Sequence, residues 1–99
     1  MGDREREEAR RALEDAVLRG PARTPAGLRD AIARGGDVPP ELRELVGKIE
    51  RHAHRVTDDD LAALAGRYSE DELFEIVVSA ALGASMRRLE AGLRALEEA

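Results

Sequence analysis

The sequence predicts an all-α domain, a bundle of about five helices around a long apolar C-terminal helix. Three observations carry that expectation. Leu and Ala, both good helix formers, dominate the apolar residues. Hydrophobic positions recur at spacings of three and four, and few stretches show the alternation of a half-buried strand. The run Leu73 to Met86 holds one charge, Glu75, and none from Ile76 onward. A helix apolar on every side must be covered on every side. The run is shorter than the ~20 residues needed to cross a bilayer, so no membrane partner is expected.

Ninety-nine residues fit one domain, 1–99. Tyr68 and Phe74 are the only aromatics, so the core must be aliphatic. The net charge of −5 gives a nucleic-acid partner no electrostatic support. Without cysteine there are no disulfides, thiol nucleophiles or Cys-ligated metals. Met1-Gly2-Asp3-Arg4-Glu5 runs straight into charge rather than a basic-then-apolar leader, and a cytoplasmic protein is the expectation.

Asp3 to Arg19 reads as a first helix with an apolar stripe of Ala9, Ala12, Leu13, Ala16 and Val17. Asp3 is placed to cap it and Gly20-Pro21 to stop it. Its early turns are charged, which predicts either a solvated, frayed end or an arm exchanged with a neighbouring subunit. Thr24-Pro25 reads as an N-cap followed by proline at the first helical position. The short helix that follows to Arg34 should bury Leu28, Ala31 and Ile32, and Gly35-Gly36 should end it.

A third helix starting near Pro40 carries Leu42, Leu45, Val46, Ile49, Ala53 and Val56 on one stripe. Gly47 beside that stripe suggests a close helix crossing. Thr57 caps a short fourth helix, where Asp58, Asp59 and Asp60 complement the positive end of the dipole. Leu61, Leu64 and Ala65 should face the core, with Gly66 closing the helix in the left-handed conformation.

The last helix opens on Ser69-Glu70-Asp71-Glu72, a capping box in which Ser69 and Glu72 satisfy each other's amides. Gly83 and its small neighbours Ser79, Ala80 and Ala84 would let another helix approach closely. Leu82, Met86, Leu89, Leu93 and Leu96 then recur at four, three, four, three, a heptad seam flanked by Arg87, Arg88, Glu90, Arg94, Glu97 and Glu98. That seam packs either on the first helix or against another subunit or partner protein.

Glu50, His54 and Asp58 form the one constellation with chemical promise. On a continuous helix they are i, i+4 neighbours, and a carboxylate beside His54 would orient it as a general base. Arg51 and Arg55 are placed to bind a substrate carboxylate. The competing reading is a surface histidine in ordinary salt contacts. His52 points away from His54 on such a helix, so the two cannot form a zinc pair, which needs a spacing of four. The acidic runs at 58–60 and 70–72 are explained by capping and lack calcium-loop spacing, so no metal is expected. Phosphate-binding, dinucleotide and nucleophile-elbow motifs are missing, and no cofactor is expected.

The run Val56-Thr57-Asp58-Asp59-Asp60-Leu61-Ala62-Ala63-Leu64-Ala65-Gly66-Arg67-Tyr68-Ser69-Glu70-Asp71-Glu72-Leu73-Phe74-Glu75, with Val78 to Ala84 after it, resembles the alkylhydroperoxidase D-like/carboxymuconolactone decarboxylase superfamily. The likeness covers about the last half of the chain, from near Leu42. It implies an all-α fold that assembles into homo-oligomers. Redox members carry a C-x-x-C pair and a following histidine, which fall near Arg51, His54 and Asp58; none of those identities is kept. Dithiol peroxidase chemistry is excluded, since no thiolate is available. The leading expectation is therefore a noncatalytic, cysteine-free relative acting as an oligomeric binding or accessory module. The alternative is a decarboxylase-like enzyme doing acid–base chemistry on a small carboxylate metabolite through His54. A third reading docks the Leu89/Leu93/Leu96 face on a partner protein.

Overall fold

The structure, a computed structural model, describes residues 2–20 and 22–98. It is all-helical among those residues: α1 (Asp3–Glu14), which continues into a π-helical turn (Asp15–Arg19), α2 (Ala26–Arg34), α3 (Arg43–His52), α4 (Asp58–Ala62) and α5 (Glu70–Glu98). Single 3-10 turns precede α3 (Pro40–Leu42) and follow it (Ala53–Arg55). No helix among the described residues is long and apolar enough to cross a membrane.

α5 is the axis. Both arms of its capping box are made: Ser69 N donates to Glu72 Oε1 at 2.9 Å, and Glu72 N to Ser69 Oγ at 3.1 Å. At 1.5 Å per residue its 29 residues span about 44 Å, which accounts for the 46 Å long dimension of the molecule. Only its first half lies in the core. Leu73, Ile76, Ser79, Ala80, Gly83 and Ala84 are buried, and Leu73, Ile76 and Ala80 join Ile32 of α2 and Leu42, Leu45, Val46 and Ile49 around α3 in one core cluster. That is one helical face. Phe74, Ala81 and Ser85 are exposed, so the uncharged run is not sealed on every side as its composition implies.

Two glycines shape the packing. An ideal Cβ at Gly83 would lie 2.1 Å from the Ala33 carbonyl oxygen, so α2 and α5 meet backbone to backbone there. Gly35, at φ 71°, ends α2. Its amide donates to Ile32 O at 3.2 Å and that of Gly36 to Ala31 O at 2.9 Å, a Schellman closure.

Several local expectations are corrected. Gly2, not Asp3, occupies the N-cap of α1. Ala9, Ala12, Leu13 and Ala16 are exposed and Val17 half-buried, while Leu18 enters the core. The helix ends at Gly20 in extended backbone; Pro21 lies outside the described residues. Pro25 holds the N-cap of α2, and Thr24 is buried and occupied elsewhere. Gly47 faces the Arg51 guanidinium rather than a crossing helix. Gly66 does not take the left-handed conformation, and Ala65 is exposed. After Ala62 the chain unrolls through a turn in which the amides of Arg67 and Tyr68 both donate to Leu64 O.

A buried polar cluster ties the N-terminal segment to this core. Arg29, 2% exposed, donates to Val17 O at 2.6 Å and to Gly20 O at 2.7 Å, where the first helix runs out of amide partners. Glu75 accepts from the Thr24 hydroxyl at 2.7 Å and from the amides of Thr24 at 2.8 Å and Arg23 at 3.0 Å. Burial acts to raise the Glu75 pKa; those three donors and the nearby Arg29 charge outweigh it and hold the carboxyl below its ordinary value.

Candidate functional site

The constellation around His54 depends on a continuous helix, and the helix breaks. His52 leaves the helical region at φ −148°, ψ 59°. The cause is the next cap. Thr57 and Asp60 form a capping box, with Thr57 N donating to Asp60 Oδ2 at 2.8 Å and Asp60 N to Thr57 Oγ1 at 3.3 Å. An N-cap needs extended backbone, here φ −117°, ψ 168°, so α3 cannot run through to Asp58. Glu50, His54 and Asp58 consequently sit on three elements. Ala53 is left exposed and Val56 half-buried.

Glu50 is engaged elsewhere. Its carboxylate pairs with the Arg87 guanidinium at 2.9 Å, and its carbonyl accepts from Arg88 at 2.7 Å. Arg87 also donates to Ala33 O, which pins α5 to the ends of both α2 and α3. His54, Arg51 and Arg55 are exposed, and no hydrogen bond or ion pair joins His54 to Glu50 or Asp58. The break also turns His52 toward His54 instead of away, with ring centroids 6.0 Å apart in an edge-on arrangement. Among the described residues no group of three or more His, Asp or Glu side chains is arranged to hold a metal ion.

Two other surfaces have the shape of binding sites. The first is a groove of about 600 Å³ between α4 and the opening turns of α5. Leu61, Leu73 and Val77 form its floor, Phe74 stands at its edge 70% exposed, and Asp58, Glu70 and Asp71 line its rim. Arg23 bridges to Asp71 at 2.9 Å. The apolar run from Leu73 to Met86 predicts a covered Phe74. The missed signal is phase: position 74 lies two residues from buried Ile76 and five from buried Ser79, off the spacing of the core face.

The second surface is the distal half of α5. Leu82 and Met86 of the expected seam are half-buried, but Leu89 and Leu93 are each 49% exposed and Leu96 76%. The N-terminal half of α1 lies alongside and encloses a cleft of about 500 Å³ lined by Asp3, Arg6, Glu7, Arg10, Leu89 and Leu93. The two helices form an arm that extends past the core. It raises the radius of gyration to 14.7 Å, against about 13 Å for a compact domain of this length. α1 has no buried residue, so its contact with the seam is partial. Leu13 adds a further half-exposed leucine to the arm.

Comparison of the chain with family models, with characterised proteins and with solved structures finds no significant match.

Proposed function

We propose that this chain is a noncatalytic helical module that works as a homo-oligomer, with the α1/α5 arm as its self-association surface. The observation that carries the reading is the arm itself. Leu13, Leu89, Leu93 and Leu96 lie solvent-exposed on two neighbouring helices outside the core. Fully burying a leucine is worth about 1.5–3 kcal/mol, and four so exposed on an otherwise charged arm are better explained by a partner than by chance.

The mixed charge of both helices is compatible with a second copy as that partner. α1 carries Arg4, Arg6, Arg10 and Arg11 among five acidic residues, with Arg10 and Arg11 paired to Glu7 and Glu14 along the helix, and distal α5 carries Arg87, Arg88 and Arg94 beside Glu90, Glu97 and Glu98. A two-fold axis that lays α1 of one copy along α5 of the other closes the leucine cleft and leaves charges of both signs on each side to pair at its rim. The resemblance to the alkylhydroperoxidase D-like superfamily supports the same reading, because it implies homo-oligomers.

Light scattering coupled to size-exclusion chromatography tests it. The wild-type chain should elute above the monomer mass at micromolar concentration. Leu93→Glu should elute as a monomer with unchanged helical circular dichroism. A monomeric wild type throughout that range would remove the proposal.

A further inference from the structure

The groove between α4 and α5 has geometry that self-association of the arm does not use. Its lining residues fall on two stripes of the same period. Asp58, Leu61, Ala62 and Ala65 run along α4 and the turn after it; Glu70, Leu73, Phe74 and Val77 run along α5. Each stripe follows an i, i+3/i+4, i+7 pattern over about two helical turns, or about 10 Å. Two helical ridges flanking an apolar trough make the seat that a third helix occupies. No strand is present among the described residues to offer an edge for an extended peptide.

Charge then selects the occupant. Between Thr57 and Glu75 there are six carboxylate residues and one basic residue, Arg67. Lys48 neutralises Asp60 at 2.8 Å and Arg23 pairs with Asp71, while Asp58 and Glu70 stand on the rim without an ion pair among the described residues. An acidic helix would meet repulsion there; a basic one is attracted to both sides of the trough.

We infer that the α4/α5 groove is a docking site for a basic amphipathic helix of another protein. Two or three aliphatic side chains at i, i+3/i+4 and i+7 would lie on Leu61, Leu73 and Val77, Phe74 would close over them, and flanking Lys or Arg would meet Asp58 and Glu70.

The test uses the full chain and three fluorescein-labelled peptides of about sixteen residues. One carries Leu at i, i+3, i+4 and i+7 with Lys on the flanks. The second has the same composition with the leucines scattered around the helix. The third has Glu in place of Lys. Fluorescence anisotropy should show the patterned basic peptide binding at least about tenfold more tightly than either control. Phe74→Ala should weaken it by about tenfold or more, and Asp58→Lys should weaken it in a salt-dependent way. Leu93→Glu, which alters the arm, should leave it unchanged. Phe74 is mostly exposed, so Phe74→Ala should keep the wild-type melting curve. Equal binding of patterned and scattered peptides, absence of binding, or insensitivity to Phe74→Ala would overturn the inference. A drop in oligomer mass on Phe74→Ala would also overturn it, by making a second copy the occupant.

Discussion

Gly83 leaves out a side chain where the Ala33 carbonyl oxygen stands, 2.1 Å from the position a Cβ would take. The Ala33 α-carbon is 2.6 Å from the same point, so the obstruction is backbone and cannot rotate away. The same carbonyl accepts from Arg87 one turn further along α5, and any retreat of α2 also disturbs that bond. Gly83→Ala should therefore destabilise the domain by about 1–2 kcal/mol, the upper part of the usual overpacking cost less about 1 kcal/mol for improved helix propensity. Gly92, on the same helix, meets nothing within 4 Å. Gly92→Ala should stabilise by about 0.5–1 kcal/mol. Urea unfolding of the two variants checks both signs in one experiment.

Arg29 should hold the N-terminal segment in place. It is buried, and its two bonds go to carbonyls at the end of the π-helical turn. Arg29→Met keeps much of the stem volume but leaves Val17 O and Gly20 O without that donor. The expected cost is about 2–4 kcal/mol. Limited trypsin digestion should cut first at Arg23, and α1 amides should lose hydrogen-exchange protection before those of α5. Uniform loss of protection in every helix would contradict this role.

Stability should fall in acid, with Glu75 as one identifiable contributor. Its folded pKa lies below the ordinary value of 4.5 because the Thr24 and Arg23 donors outweigh burial. A depressed carboxyl pKa contributes stability that is complete above the unfolded value and disappears as pH falls through the folded value. Glu75→Gln should lower stability at pH 7 and flatten its decline below pH 4.5. Asp60, likewise held below its ordinary value by Lys48 and Thr57, keeps some acid sensitivity in that variant. Urea midpoints at neutral and acid pH read the difference.

What was legible in the sequence was local or periodic. The Thr57 cap and the Ser69 capping box involve residues three apart, so the pattern alone defines the interaction. Leu42, Leu45, Val46 and Ile49 announce a buried face by spacing, and Gly83 among small residues announces a close approach. Long-range partners were not legible. Thr24 reads as a cap until Glu75, 51 residues later, takes its hydroxyl and amide. Arg29 carries a readable but contrary signal, a charge in phase with buried Ile32 and Ala33.

The His54 constellation failed where two local rules competed. The stripe from Leu42 to Val56 favours one long helix; the Thr57 cap forbids it, and the cap prevails. The groove is not legible for a different reason, and of the arm only the leucine seam is legible, not how far it is covered. A periodic apolar face shows that something must cover it, and only the packed chain shows which faces remain uncovered.

Association through the arm is tested most directly by a distance between copies. The chain has no cysteine, so Arg94→Cys offers a single site for a nitroxide label beside the exposed leucines. The account predicts a defined dipolar distance in electron spin resonance at micromolar concentration, abolished by adding Leu93→Glu and diluted by unlabelled chain. Absence of dipolar modulation from a folded, fully labelled protein would contradict it.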